Sequence, residues 1–211
     1  MKVLLVNGSP HEKGCVHAAL SEIIKVLGEE GVASQLFWLG HKPISGCLGC
    51  LGCQKKGQCV IDDQVNEFLG LAETADGFIF GSPVHYASAS GAIRSFLDRV
   101  FYASRHYKGG QLFYLKPGAA VVSARRAGTT AALDQLNKYF TIQQMPIVSS
   151  RYWNMVHGVK PEDVQQDQEG LYTMRVLARN LAYLLRCLAA GQAAGLTPPK
   201  FEPPAVTNFI R

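Results

Sequence analysis

Long apolar runs are missing from this 211-residue chain. A membrane span needs about 20 consecutive apolar residues, and no stretch approaches that. The first apolar run, Val3 to Val6, is also too short for the core of a signal peptide. A cytoplasmic location with no membrane partner is therefore expected. Blocks of like charge are missing too. Lys and Arg number 21 against 16 Asp and Glu, a net of +5, but the basic residues cluster no further than the pairs Lys55-Lys56 and Arg125-Arg126. Without a basic stripe interleaved with aromatics, no nucleic-acid partner is expected; the charge balance suits a phosphate-bearing ligand. Two common phosphate signatures are absent as well. The loop after the first strand has neither the Gly-Lys-Ser/Thr of a Walker loop nor the G-x-G-x-x-G of a dinucleotide fingerprint. No His/Asp pair or Ser/His/Asp order stands out as an acid–base set, so no catalytic side chain is nominated.

What is present is a regular alternation. Residues 1–7 carry Val3-Leu4-Leu5-Val6, the continuous apolar run of a strand buried on both faces. Val16, Leu20, Ile23 and Leu27 then recur at helical spacing, and Gly31 stops that helix. A second strand is expected over 32–39. Asp62 or Asp63 caps a helix with Val65, Phe68, Leu69 and Ala72 on one face. A third strand is expected over 77–81, a fourth over 119–123, and a fifth at Ile147-Val148. Helical stripes lie between them at Ile93, Phe96, Leu97, Val100 and Phe101, and after Thr129 or Thr130. The last helix shows Leu171, Met174, Leu177, Leu181, Leu184 and Leu188, with Cys187 expected among its packing residues. Such alternation predicts an α/β fold: an open five-stranded parallel sheet with helices on both faces. No repeat and no linker divides the chain. A single domain is expected over 1–192, followed over 193–211 by an extended arm holding Pro198, Pro199, Pro203 and Pro204.

Three loops should open on one edge of that sheet. Residues 8–15, Gly-Ser-Pro-His-Glu-Lys-Gly-Cys, join the first strand to a helix. A helix N-terminus at the carboxyl end of a parallel strand attracts anions, because its free N–H groups add to the positive end of the helix dipole. Residues 81–86, Gly-Ser-Pro-Val-His-Tyr, leave the third strand, and residues 123–129, Ser-Ala-Arg-Arg-Ala-Gly-Thr, leave the fourth. Together they offer donors, a ring and open space for a flat ligand bearing a phosphate.

Four of the six cysteines fall within thirteen residues. Cys47, Cys50, Cys53 and Cys59 stand as C-x2-C-x2-C-x5-C, while Cys15 and Cys187 are isolated. In a chain expected to be cytoplasmic, this clustering points to metal or redox chemistry and away from a disulfide framework. The short spacings let the thiolates surround a [4Fe-4S] cluster. A single zinc more often takes two C-x2-C knuckles set far apart. Unligated thiols or a labile disulfide remain the other readings.

Gly8-Ser9-Pro10, Gly81-Ser82-Pro83-Val84 with Tyr86, and Phe96-Leu97-Asp98-Arg99 resemble the NADPH-dependent FMN reductase family of flavodoxin-like proteins. The cysteine cluster followed by Asp62-Asp63 resembles the iron–sulfur flavoprotein branch of that family. The resemblance, which covers roughly residues 1–150, implies a flavodoxin-like sheet of order 2-1-3-4-5, bound FMN, and a homodimer or homotetramer. By position, Ser9, His11, Gly14, Cys15 and His17 would surround the ribityl phosphate. Pro83, Val84, His85 and Tyr86 would border the isoalloxazine ring, and Ser123, Arg126 and Gly128 would meet its other edge. Members usually carry Asn or Ser at the position of Cys15, and Thr or Ser at that of His17. The implied function is an FMN-dependent oxidoreductase using NAD(P)H to reduce a small acceptor such as a quinone or flavin. The alternative is an iron–sulfur flavoprotein passing electrons between a [4Fe-4S] cluster, FMN and protein partners such as a ferredoxin. A non-catalytic redox or metal sensor is the third.

Overall fold

A computed structural model describes residues 1–200 together with Glu202, Ala205, Thr207 and Phe209. In order, the elements are β1 (Lys2–Asn7), α1 (Cys15–Glu29), β2 (Ala33–Trp38), α2 (Gly52–Lys56), α3 (Gln64–Ala72), β3 (Gly77–His85), β4 (Ser88–Ala89), α4 (Gly91–Ser104), β5 (Gly118–Ala124), α5 (Thr129–Ile142), β6 (Met155–His157), α6 (Pro161–Gln166) and α7 (Gln168–Ala193). The main sheet runs β2-β1-β3-β5-β6 with every pair parallel, and the two-residue β4 turns back antiparallel on the end of β3. Setting β4 aside, this is the expected 2-1-3-4-5 order and the flavodoxin-like arrangement.

Because side chains alternate along a strand, β1 feeds two cores. Leu4 and Val6 point into a layer built with α3, α4 and α5, where Phe68, Phe78, Phe80, Phe96 and Phe140 pack. Val3 and Leu5 point the other way, into a layer closed by α1, α6 and α7. The Phe68 and Phe96 rings meet edge-on with centroids 5.1 Å apart. Among the described residues, no helix is long and apolar enough to cross a membrane.

Four expectations need correction or extension. The third strand does not stop at residue 81 but runs to His85, where Tyr86 and Ala87, at φ 50° and 57°, make the tight turn into β4. The fifth sheet position is not built at Ile147-Val148. Ile147 makes only an isolated bridge to Gly118, and the Val148 N–H donates to the Gly118 carbonyl. The chain then leaves the sheet over 149–154 and returns when the Val122 N–H donates to the Asn154 carbonyl, so the strand proper is β6. Cys187 is exposed, and Leu188 is 43% exposed. The buried stripe of α7 ends at Leu185, because the helix continues beyond the layer it packs against. The helix itself extends to Ala193, one residue into the expected arm. Residues 196–200 carry no regular structure, whereas Pro203 and Pro204 lie outside the described residues.

The strand ends are joined through one close approach. The Gly8 N–H donates to the Gly81 carbonyl at 2.9 Å, and the Ser90 hydroxyl donates to the Gly8 carbonyl at 3.0 Å. A methyl group on Gly8 would lie 2.8 Å from both the Gly81 oxygen and Ile93 Cβ. Gly8→Ala should therefore lower unfolding stability by about 1–3 kcal/mol, the usual cost of forcing a group into a filled site. Denaturant titration checks this, and an unchanged midpoint would contradict the packing.

Candidate functional site

The loop leaving β1 is wound around Asn7, a fully buried residue. Its side-chain oxygen accepts from the Ser9 N–H at 3.0 Å, and its amide donates to the Glu12 carbonyl at 3.0 Å. The Ser9 hydroxyl accepts from the His11 N–H at 3.1 Å, and Trp38 Nε1 donates to the Ser9 carbonyl at 2.8 Å. These bonds deliver the chain to α1 with Gly14 as its N-cap. No side chain caps that helix end, and its first turn holds no acidic residue. The arrangement leaves a helix N-terminus whose N–H groups can receive an external anion.

Above this turn lies a groove of about 730 Å³, lined by residues 9–16, Pro83, Val84, residues 123–125 and residues 158–161. Lys13, Arg125 and Lys160 give it a cationic rim. Opposite the helix end, the Asp163 carboxylate accepts from the N–H groups of Val159 and Lys160 at 2.8 and 3.1 Å and so shapes the far wall. Those two bonds hold its pKa below the usual carboxylate value. Cys15 has the opposite shift. Burial, then the nearby Asp163 charge, pushes its thiol above the ordinary value, and its Sγ lies 3.7 Å from the Gly158 carbonyl. It is a small wall residue in its neutral form.

Of the expected ligand-binding residues, Ser9, His11, Gly14, Cys15, Pro83, Val84 and Ser123 line this groove. His17, His85, Tyr86, Arg126 and Gly128 do not. His17 sits one residue beyond the lining and pairs along α1 with the Ser21 hydroxyl at 3.3 Å. His85 and Tyr86 stand at the exposed hairpin tip, with the Tyr86 side chain fully in solvent. Gly128 is the αL cap of α5, with Ala87 of that tip packed against it. Residues 158–161 were missed by sequence reasoning. Their signal was the Gly-Val-Lys-Pro turn ahead of a helix, hidden by placing the last strand too early.

The cysteine segment forms a second site. Cys47, Cys50, Cys53 and Cys59 line one recess together with Leu48, Leu51, Val60, Ile61, Arg99 and Tyr102. No lining residue is shared with the groove. Gly52 allows the two limbs of the segment to touch, since a Cβ there would collide with Val60 Cγ1. Burial raises the Cys53 pKa against its own backbone hydrogen bond, and the charges of Cys47, Cys50 and Cys59 push the same way, so the four sulfurs sense one another. Arg99, 2% exposed, pairs with Asp63 at 2.7 Å and donates to Cys59 Sγ. Burial draws its pKa down, but the hydrogen bonds with Asp63 and Cys59 outweigh that and hold it above the ordinary value. Asp63 also caps α3 through the Val65 N–H, as expected for one of the two aspartates. Among the described residues, no three His, Cys, Asp or Glu side chains converge on a single ion. The donor set, four thiols around one recess, fits a polynuclear iron–sulfur group.

Over residues 1–160 the chain matches the family described as NADPH-dependent FMN reductase. It is 31% identical over 195 residues to an iron-sulfur flavoprotein of Methanocaldococcus jannaschii, covering 89% of this chain and 99% of the relative. The fold is similar to that of RosB, solved with the bound intermediate 8-demethyl-8-formylriboflavin-5'-phosphate. The TM-score is 0.71 at 12% identity, over 100% of this chain and 92% of that one. A flavodoxin from the domain Archaea superposes over 88% of this chain and 99% of its own with a TM-score of 0.57 and 17% identity.

Partly buried and with its thiol pKa raised, Cys15 should react with iodoacetamide more slowly than the exposed Cys187 at neutral pH, and its own rate should climb as pH rises, since the thiolate is the nucleophile. Mass-spectrometric labelling against pH reads this. Preferential labelling of Cys15 at neutral pH would contradict the assignment.

Proposed function

The chain belongs to the NADPH-dependent FMN reductase family, and we propose that, as an FMN-dependent oxidoreductase, it relays electrons between FMN, a [4Fe-4S] cluster on Cys47, Cys50, Cys53 and Cys59, and a ferredoxin-like protein. The observation that carries this reading is the recess into which all four thiols open. The relative's name, iron-sulfur flavoprotein, supports it. When bound, FMN supplies hydride and one-electron chemistry, and the cluster one-electron chemistry.

The chain's own residues bind and orient. The uncapped N–H groups of α1 and the Ser9 hydroxyl receive the ribityl phosphate, and Lys13, Arg125 and Lys160 offset its charge. Pro83, Val84 and Ser123 supply the wall toward the ring. His85, Tyr86, Arg126 and Gly128 belong to this proposal only as the outer border of that wall. His17, whose Nδ1 pairs with Ser21, keeps only Nε2 for the phosphate in this reading. A homodimer or homotetramer is part of the same reading; the solvent-facing rings of Tyr86, Tyr152 and Trp153 offer the apolar surface such assembly uses. A cytoplasmic location goes with it.

The second reading is an NAD(P)H-dependent reductase of a quinone or flavin. It is favoured by the exposed Arg125 beside an open groove, where a nicotinamide nucleotide's phosphate would be attracted. Anaerobic stopped-flow mixing separates the two. Reduced ferredoxin should bleach the flavin absorbance rapidly, while NADH and NADPH should not. Rapid bleaching by NADPH with turnover of a quinone would overturn the relay in favour of the reductase. Independently, Lys160→Ala should raise the FMN dissociation constant about fivefold, in line with the loss of one solvent-exposed phosphate contact. An unchanged constant in fluorescence titration would remove Lys160 from the phosphate site.

A further inference from the structure

The guanidinium of Arg99 is held from every side. Nη1 lies 2.7 Å and Nη2 2.8 Å from the two Asp63 carboxylate oxygens, so the forked end of the group is spent on that pair. Nη2 also lies 3.0 Å from the Ile61 carbonyl, so its two hydrogens are shared among three acceptors, and Nη1 lies 3.4 Å from the Ser45 carbonyl. The remaining edge faces a sulfur: Nε and Nη2 lie 3.3 and 3.2 Å from Cys59 Sγ. Pairing with Asp63 alone does not require that orientation. A neutral thiol is a weak acceptor, a poor partner for two N–H groups of a buried cation. A metal-bound thiolate is a strong one.

Cys59 is fixed from its backbone as well. The Asn66 side chain accepts from the Cys59 N–H at 2.9 Å and donates to the Cys59 carbonyl at 3.0 Å. Cys47 and Cys50, by contrast, are exposed. The four thiols are therefore not equivalent, and one of them is held in advance by both its backbone and its sulfur.

We infer that Arg99 is the positioning residue of the four-thiol site, anchoring Cys59 as a pre-set ligand through two N–H···S hydrogen bonds and raising the cluster's reduction potential. This rests on the cluster reading above. Hydrogen bonds from a cation draw electron density off the sulfur, and the reduced cluster, with one more negative charge, gains more from them than the oxidised one. The potential therefore moves up when the bonds are present and down when they are lost.

The test uses anaerobically purified full-length protein, with FMN, iron and sulfide quantified per chain and the cluster midpoint read by redox titration under electron paramagnetic resonance. Arg99→Lys keeps the charge but not the planar fork that spans Asp63 and Cys59. The inference expects a folded, FMN-loaded variant whose midpoint falls, or one that has lost its iron while keeping fold and flavin. A wild-type midpoint and an unaltered resonance spectrum at full iron content would overturn it. Should Arg99→Lys fail to fold, the wild-type protein decides: reduced and labelled with 15N-arginine, it should show a nitrogen hyperfine coupling from the guanidinium to the cluster. No such coupling would overturn the inference. A wild-type protein with no iron or sulfide defeats the cluster reading itself and takes this inference with it, a failure read from metal content and not from potential.

Discussion

A parallel sheet covered on both faces can do chemistry only at its ends. Its strands bury their side chains in two separate layers, so neither face is left for a ligand. The right-handed crossovers that connect parallel strands bring every β-to-α loop to the same end. In this chain the loops after β1, β5 and β6 and the end of β3 are forced into one neighbourhood, and the groove there is their common boundary. The close approach at Gly8 and the Ser82–Ser90 hydrogen bond tie the loop after β1 and the end of β3 to the start of α4. Position, more than any single side chain, shapes this groove: a helix end with no side-chain cap, rimmed by Lys13, Arg125 and Lys160 together with Glu12.

The cysteine recess answers to a different constraint, the burial of a full charge. A guanidinium taken out of water must be paired and fully hydrogen-bonded, and removing one partner of such a pair costs about 3–5 kcal/mol. Arg99 meets that demand with groups drawn from the β2–α3 connection, namely Ser45, Cys59, Ile61 and Asp63. The long segment between β2 and α3, which has few apolar side chains to bury, is thus pinned to α4 by polar contacts. Cys59, one of the proposed cluster ligands, is held by the same bonds that satisfy the buried charge.

Much of this was legible in the sequence where one physical signal dominates. The run at β1, the periodicity of α1 and α4, the Asp63 cap and the cysteine spacing each reflect a local rule, and each element stands where expected. Long-range facts were less legible. The apolar pair Ile147-Val148 marks a fifth strand in the sequence, yet register with β5 selects Met155–His157. Cys187 has the right spacing for the buried stripe of α7 but lies past the edge of the layer it would pack on. His85 and Tyr86 are expected at the ring; the turn at Tyr86 and Ala87 puts both at an exposed hairpin tip. Arg99 was visible only as part of a motif, because nothing local announces that residues 40 and 36 positions upstream will surround it. The resemblance places the NAD(P)H-dependent reductase first and the electron relay second; the proposal of a relay rests on the recess shared by four thiols.

The proposed relay requires one chain to hold both a flavin and an iron–sulfur cluster. The most direct measurement is the visible spectrum of anaerobically purified protein, with FMN, iron and acid-labile sulfide quantified per chain. The account predicts about one FMN, four iron and four sulfide, the composition of a single cubane beside a flavin. FMN without iron or sulfide would contradict it and leave the four cysteines as free thiols.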